Sequence, residues 1–350
     1  MSTHAVGHGL DDLAAMARAA LVREIGASGA WDADPAWREA FASVPRHLFV
    51  PYYYVGVPGG HERRWCEDPS PRRREEWLRG AYADTPLATR LRDGELLSSS
   101  SQPSLMAKML AELAVRDGDA VLEIGAGTGY NAALLSYRLG DERVTTVDLD
   151  PEITESARRH LAAAGHHPAV VTGDGARGCP ERAPFDRVVA TCALSSVPGA
   201  WLAQCRPGAR ILAPFATGLI DLRVRDAGHA EGRFLHTPAY FVPLRGGPRP
   251  EPEGRDVHLD DGDAEDGGSG GSGGNGTEGR AGELPRRARG HELFRFLLTL
   301  AAGRLAPDEA YALWEREGWP PRERYGITVA DGRAWAWLDD PRGPHTWPLP

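Results

Sequence analysis

Apolar residues fall at a helical period over Leu10, Leu13, Ala14, Ala17 and Leu21, and this spacing predicts a helix over 10–25. Asp11 and Asp12 lie near its start, where acids complement the helix dipole. A second short helix is expected over 35–42, with Asp34 as cap and Pro35 in the first helical position. Residues 51–80 mix Pro, Gly, Arg and aromatics without a sustained period and read as an irregular excursion. From Ser104 the pattern becomes regular. Helical spacing over 105–113, 130–139, 151–164 and 200–205 alternates with short apolar runs over 120–124, 144–148, 169–172, 185–191 and 210–214. Gly165 is placed to cap the third of these helices. Strands and helices alternating through short links predict an α/β fold with a doubly wound, Rossmann-like parallel sheet. Two further runs, 222–225 and 233–242, are expected as antiparallel strands closing it.

Periodicity then stops. Residues 248–282 are rich in Gly and acids and carry the tract GGSGGSGGNG at 267–276. Such a segment cannot bury enough apolar surface to offset its ordering entropy, so a flexible linker is expected over 248–283. Helical spacing resumes over 293–300 and 307–317, and 327–338 reads as a hairpin turning at Asp331 and Gly332. These divisions give an N-terminal helical and irregular substrate-side region (1–97), a sheet-forming core (98–247), the linker, and a small C-terminal α+β domain (284–350). Formal net charge is −9, and ten acids against three arginines between Arg249 and Pro285 supply most of it. The folded remainder is nearly neutral, which argues against a nucleic-acid partner. Cys66, Cys179, Cys192 and Cys205 form no C-x-x-C pair and read as free thiols of a reducing compartment. No signal pattern or apolar run of membrane-spanning length is present, so no membrane partner and a cytoplasmic location are expected. No Ser-His-Asp or metal-ligating arrangement is found.

The most specific motif is Val121-Leu-Glu-Ile-Gly-Ala-Gly-Thr-Gly-Tyr130, where a strand runs through Gly125, Gly127 and Gly129 into a helix. Glycines there let the backbone approach a ligand closely. The spacing is G-x-G-x-G and not the G-x-G-x-x-G of a dinucleotide fold. Glu123 would repel a pyrophosphate but suits a zwitterionic, cationic ligand such as S-adenosylmethionine (SAM). Asp148, at the end of the next strand, can accept from two ribose hydroxyls. Asp174, in Thr172-Gly-Asp-Gly175, ends the third strand and is placed to accept from an adenine amino group, with Gly175 beside it. Either acid alone could be an ordinary strand-end residue. Glycine loop and both acids in register point to a SAM site and a class I SAM-methyltransferase fold.

The chain resembles the protein-L-isoaspartate O-methyltransferase family over roughly 35–245. The pieces that carry the resemblance are Pro45-Arg-His-Leu-Phe-Val-Pro51, Ser100-Ser-Gln-Pro-Ser-Leu-Met-Ala107, the glycine loop, TGDGARG with ERAPFDRVV, and Val197-Pro with Gln204 and Pro207-Gly208. Members transfer a methyl group from SAM to the carboxylate of an isoaspartyl residue. A carboxylate is ionised at neutral pH and needs no strong base, so catalysis rests on orientation and desolvation. Hydroxyls at Ser98, Ser99, Ser100 and Ser101 are suited to grip it. By resemblance Ser101 falls on the family's serine before x-Pro and is the first catalytic candidate, followed by Ser99 and Ser100, with Ser98 on the substrate side.

Three features depart from a minimal repair enzyme: the long insertion before Ser98, the linker with its C-terminal unit, and Ser104 where repair enzymes often carry His or Tyr. The layout resembles an actinobacterial branch that acts on ribosomally made, modified peptides. That branch methylates an aspartate of a cyclised precursor, and the ester closes to a succinimide (aspartimide). Tyr53, with its neighbours Tyr52 and Tyr54, either lines a peptide groove or packs. Arg64, in His61-Glu-Arg-Arg-Trp65, and Arg72-Arg-Arg74 either face an acidic peptide or pair with Glu75 and Glu76. Trp314, Trp319, Trp335, Trp337 and Trp347 read as the core of a C-terminal domain rather than a binding face. The expected function is therefore aspartyl methylation in a cyclised peptide. Isoaspartate repair on damaged proteins and a non-catalytic SAM- or peptide-binding module are the alternatives.

Overall fold

A computed structural model describes residues 3–32, 34–92, 94–246, 284–285, 288 and 290–350. The expected linker lies outside the described residues. Helix α1 (Thr3–Gly26) and helix α2 (Ala36–Ser43) open the chain, and the Asp34 carboxylate accepts from the Ala36 amide at 3.1 Å. Trp37, Ala40 and Phe41 are buried on α2.

The stretch 51–80 is ordered, which corrects the irregular reading. Strands β1 (Tyr52–Val57) and β2 (Gly60–Trp65) form an antiparallel hairpin, and helix α3 (Pro71–Ala81) follows. The turn takes Gly59 at φ +86°, a value that favours glycine. Composition concealed α3 because six of its eleven residues are charged and only Trp77, Leu78 and Ala81 are buried. Its arginines are spent locally: Arg72 pairs with Glu76 at 3.1 Å and Arg73 with Glu62. Strands β3 (Leu87–Arg92) and β4 (Glu95–Ser100) complete a four-stranded sheet of order β2-β1-β3-β4. Ser98, Ser99 and Ser100 thus end a strand, and Ser101 follows it.

Helix α4 (Pro103–Leu113) leads into the alternating core: β5 (Val121–Ile124), α5 (Tyr130–Leu139), β6 (Val144–Asp148), α6 (Pro151–Ala163), β7 (Ala169–Thr172), β8 (Phe185–Ala190), α7 (Gly199–Ala203), then β9 (Cys205–Phe215), β10 (Gly218–Asp226) and β11 (His229–Pro238). Strands β7-β6-β5-β8-β9 are parallel in that order, and β10 and β11 continue antiparallel. From β5 the chain winds one way to β6 and β7, then the other way to β8. That reversal opens a crevice at the carboxyl ends of β5 and β8, where open α/β sheets bind ligands.

Helices α8 (Glu292–Leu300) and α9 (Pro307–Arg316) and strands β12 (Tyr325–Ala330), β13 (Arg333–Leu338) and β14 (Thr346–Pro348) end the chain. The hairpin turn falls at Asp331 and Gly332, both at positive φ. The expected separate domain is not what forms. Strand β12 pairs with β11 from Ala230↔Val329 to Arg233↔Gly326, so one sheet of ten strands runs through both parts. Its apolar cluster is shared too: Phe234 packs on Phe296 at 4.9 Å between ring centres. Trp314, Trp337 and Trp347 are buried, whereas Trp319 is half exposed and stacks on Trp314.

The end of the four-stranded sheet is braced by Arg46, which is fully buried after α2. Its guanidinium donates to the carbonyls of Ala81 (2.7 Å), Ala83 (3.1 Å), Thr85 (3.3 Å) and Ser101 (3.2 Å), and to Ser100 Oγ (3.4 Å). Burial lowers its pKa to about 10, still far above neutrality. Arg46→Met strands these acceptors in the interior and is expected to cost about 3–5 kcal/mol in urea unfolding, with little recovery in Arg46→Lys, which lacks the planar fork. A loss below about 1 kcal/mol would show that the carbonyls find other partners.

Candidate active site

The glycine loop is shaped by what presses on it. All four residues of β5 are buried. Gly125 has φ +100°, and a Cβ there would stand 2.5 Å from Thr191 Oγ1, which itself donates to the Gly125 carbonyl at 2.8 Å. Gly127 has φ +50° and faces the Ser99 carbonyl across the pocket, 3.5 Å from where its Cβ would be. Gly129 heads α5 and packs on α6.

Asp148 ends β6 on the pocket wall and is 9% exposed. Oδ2 accepts from the Gly127 amide at 3.3 Å, and Oδ1 accepts from the Asp150 amide at 3.2 Å. Arg245 Nη2 also lies 3.4 Å from Oδ1, and Leu244 presses on Gly175. Together they leave about 60 Å³ of free space in this pocket. The apolar floor is Ile124, Val147 and Leu149, with Gly175, Thr191 and Cys192 at the sides. A carboxylate able to accept two hydroxyls, an apolar floor and a glycine-walled approach fit a nucleoside; Arg245 must yield its place on Asp148 for one to enter. Asp174 accepts from the Ala176 amide at 3.0 Å and lies under Gly246, on the wall of an adjoining cleft of about 710 Å³ rather than in the pocket lining.

Glu123 is wholly buried behind the loop and lines a small recess with Ser100, Ser101 and Asn131. Asn131 Nδ2 donates to Oε1 at 2.7 Å, and Thr146 approaches without reaching hydrogen-bond geometry. Burial pushes the carboxyl up to about 7. The Cys192 thiol is pushed up to about 12 by burial and by the charge of Asp148, so it stays protonated and is no nucleophile.

The four serines divide between these spaces. Ser98 (7% exposed) accepts from Thr89 Oγ1 at 3.4 Å and borders the nucleoside pocket. Ser99 borders that pocket and also a second cleft of about 650 Å³. Ser101 borders the second cleft and the Glu123 recess. Ser100 is 3% exposed and turned to Arg46, a bracing position. The second cleft is walled by Pro86, Leu96, Tyr240, Phe241 and Val242 on its apolar side and by Gln102 and Ser104 on its polar side. Asp84 fixes that polar side, accepting from Gln102 Nε2 at 3.2 Å and from the Ser104 amide at 2.8 Å.

Two sequence candidates lie elsewhere. Tyr53 is in the core at 2% exposure, donating to the Trp77 carbonyl at 3.2 Å, so it cannot meet a peptide. Arg64 pairs with Tyr53 across the hairpin and borders neither space. Sequence reasoning missed Asp84, Arg245 and Tyr240–Val242. Thr191 and Cys192 were findable, since they follow the strand that forms the sheet reversal; a lone Arg beside a Gly-rich tract gave no such signal.

Comparison with known proteins agrees with this geometry. A family model described as protein-L-isoaspartate(D-aspartate) O-methyltransferase matches residues 72–247. The protein-L-isoaspartate O-methyltransferase of Hyperthermus butylicus is 34% identical over 224 residues, covering 60% of this chain and 80% of that protein. Protein-L-isoaspartate O-methyltransferase 1 of an Anaeromyxobacter species is 39% identical over 220 residues, covering 61% of this chain and 89% of that protein. A solved structure titled protein-L-isoaspartate O-methyltransferase aligns with a TM-score of 0.57 at 21% identity, covering 95% of this chain and 98% of that one. This likeness shows the fold, C-terminal strands included.

The raised Glu123 carboxyl makes stability depend on pH. Below its ordinary value of 4.5 both folded and unfolded chains hold the proton; up to about 7 only the folded chain does, so the folded state loses ground as pH rises and the cost is complete above 7. Glu123→Gln is expected to stabilise the protein by about 1–3 kcal/mol at pH 8 and by much less near pH 4.5, read by chemical denaturation. An equal change at both pH values would refute the ionisation argument.

Proposed function

The chain belongs to the protein-L-isoaspartate(D-aspartate) O-methyltransferase family, and from that premise we propose that its cleft takes peptides bearing an isoaspartyl residue and methylates the free carboxylate. It is a SAM-dependent carboxyl methyltransferase. The carrying observation is Ser99, which borders both the pocket that ends at Asp148 and the open cleft beside it. A group bound in one space meets a group bound in the other across that residue.

When bound, SAM supplies an electrophilic methyl group on a cationic sulfur. Asp148 is suited to hold its ribose and the Gly125–Gly129 loop to admit its amino-acid portion closely. Asp174, near the adenine end, is the less direct contact, because Gly246 covers it. The substrate carboxylate arrives ionised, so the residues around it need to aim it and exclude water. Ser101 and Ser99 hydroxyls donate to one carboxylate oxygen and leave the other turned toward the pocket. Ser100 acts through Arg46, holding the strand end in place, and Ser98 acts as a wall of the pocket. Transfer forms an ester. The following backbone nitrogen then attacks the ester carbonyl, its proton leaves with the methoxy group as methanol, and a five-membered succinimide closes.

A second reading, methylation of an ordinary aspartate in a cyclised, ribosomally made precursor, draws on the β1–β2 hairpin, which precedes the matched residues 72–247. The C-terminal unit lends it no weight, since the fold likeness to a protein titled as an isoaspartate methyltransferase runs through that unit. The deciding experiment offers wild-type protein a linear isoaspartyl peptide and a cyclic aspartyl peptide with labelled SAM. Comparable or preferred turnover of the isoaspartyl peptide is expected; transfer to the cyclic aspartyl peptide alone would overturn the first reading in favour of the second. Ser101→Ala is expected to lower kcat about 10–100-fold while SAM affinity stays within about twofold, since it removes a contact to the reacting carboxylate only. Unchanged turnover would remove Ser101 from the reaction.

A further inference from the structure

Lys108 is the single lysine among 350 residues, and every other basic side chain in the 40 is arginine. It lies on the exposed face of α4, one helical turn beyond Ser104, and lines the 650 Å³ cleft. No other charged residue lines that cleft. Of the nearby acids, Asp84 is engaged elsewhere, both its oxygens serving Gln102 and Ser104. Lys108 makes no ion pair among the described residues. Among the described residues its ammonium is therefore the only charge lining the cleft that faces a substrate anionic in its reacting form.

We propose that Lys108 forms a second carboxylate subsite, which selects peptides carrying an acidic side chain near the residue to be methylated. This rests on the cleft being the peptide site. The methylated carboxylate itself belongs at Ser99 and Ser101, at the start of α4. Lys108 is five residues into α4 from Pro103, roughly 8 Å along the helix axis. An extended peptide advances about 3.3 Å per residue, so the second carboxylate comes from a residue two or three positions away. A lysine suits this better than an arginine would: a compact charge on a long flexible stem follows side chains of varying position, whereas a guanidinium fork demands planar geometry. Leu96 and Tyr240 flank the cleft but are 43% and 65% exposed, so the pair has the strength of a solvent-facing ion pair and falls with salt.

The test uses fluorescein-labelled isoaspartyl peptides with one Glu placed at each position within three residues of the target, each beside its Gln counterpart. Binding to the full chain is read by anisotropy with S-adenosylhomocysteine present, so it does not depend on turnover. At the best position Glu is expected to bind about two- to fivefold tighter than Gln, a preference that weakens with added salt. Lys108→Met should bring the ratio near one, and Lys108→Arg should retain part of it. A Glu-to-Gln ratio unchanged in Lys108→Met, or no preference at any position in the wild-type chain, would overturn the subsite. Absence of methyl transfer to any of these peptides would instead count against the activity, because the anisotropy ratio stands by itself.

Discussion

Much of this molecule depends on one buried guanidinium. Arg46 comes from the N-terminal segment, yet its partners are the end of α3, the approach to β3 and the last residues of the serine strand. Backbone carbonyls in an interior must be paired, and here three successive turns of irregular chain find their donors on a single side chain. The strand end that carries Ser99 and Ser101 is therefore fixed by a residue about fifty positions earlier. Arg46 holds this strand end from within, and Asp84 holds the Ser-Gln-Pro turn that follows it through Gln102 and the Ser104 amide, so the two spaces that meet at Ser99 keep a common wall. Tyr130 completes the arrangement from the other side, its ring 6.0 Å from the Arg46 guanidinium and its backbone at the end of the glycine loop.

The electrostatics of the two spaces are complementary in sign to their ligands. The nucleoside pocket and its recess hold carboxylates, Asp148 and Glu123, suited to hydroxyl donors and to a cation. The peptide cleft has hydroxyls, an amide and one ammonium, and no carboxylate. A carboxylate nucleophile thus meets no acid in the peptide cleft, where the Ser99 and Ser101 hydroxyls border it. Asp84 illustrates the same separation: it lies close to the cleft, but the Gln102 amide and the Ser104 backbone screen both its oxygens. In the resting pocket Arg245 neutralises Asp148, which spares the chain an uncompensated buried charge until a ligand takes its place.

What the sequence disclosed follows from how local each cause is. The strands and helices over 120–172 were legible because their period, glycines and strand-end acids all lie within a few residues of one another, and they emerged within a residue of the reading. The hairpin over 52–65 was not, because its Arg-rich composition hid a pairing that only the neighbouring strand β3 makes worthwhile. Tyr53 looked like a binding residue for the same reason: its burial depends on Trp77 and Gly80, one helix later. The serines were found as a group, but which of them faces which space depends on strand alternation and on Arg46, and neither is written in the run itself. Arg245 and Asp84 act on the site through contacts 97 and 20 residues apart in the chain, beyond any local pattern.

The C-terminal extension has a structural consequence for the cleft that its sequence gave no hint of. Strand β11 would be the edge of the sheet if the chain stopped at it; pairing with β12 makes it an interior strand, held by ladders on both sides. The segment that leaves β11 carries Tyr240, Phe241 and Val242 into the peptide cleft and Leu244 and Arg245 into the nucleoside pocket. Further on it is pinned again, where the Ala193 amide donates to the Val242 carbonyl and the Leu244 amide to the Ala193 carbonyl, each at 2.8 Å. The same short segment thus supplies walls to both spaces, Tyr240, Phe241 and Val242 to one and Val242, Leu244 and Arg245 to the other. The extension also reaches this wall directly, where the Tyr240 hydroxyl donates to the Glu292 carboxylate of α8 at 3.5 Å, so the same C-terminal unit backs both the strand and the segment that leaves it.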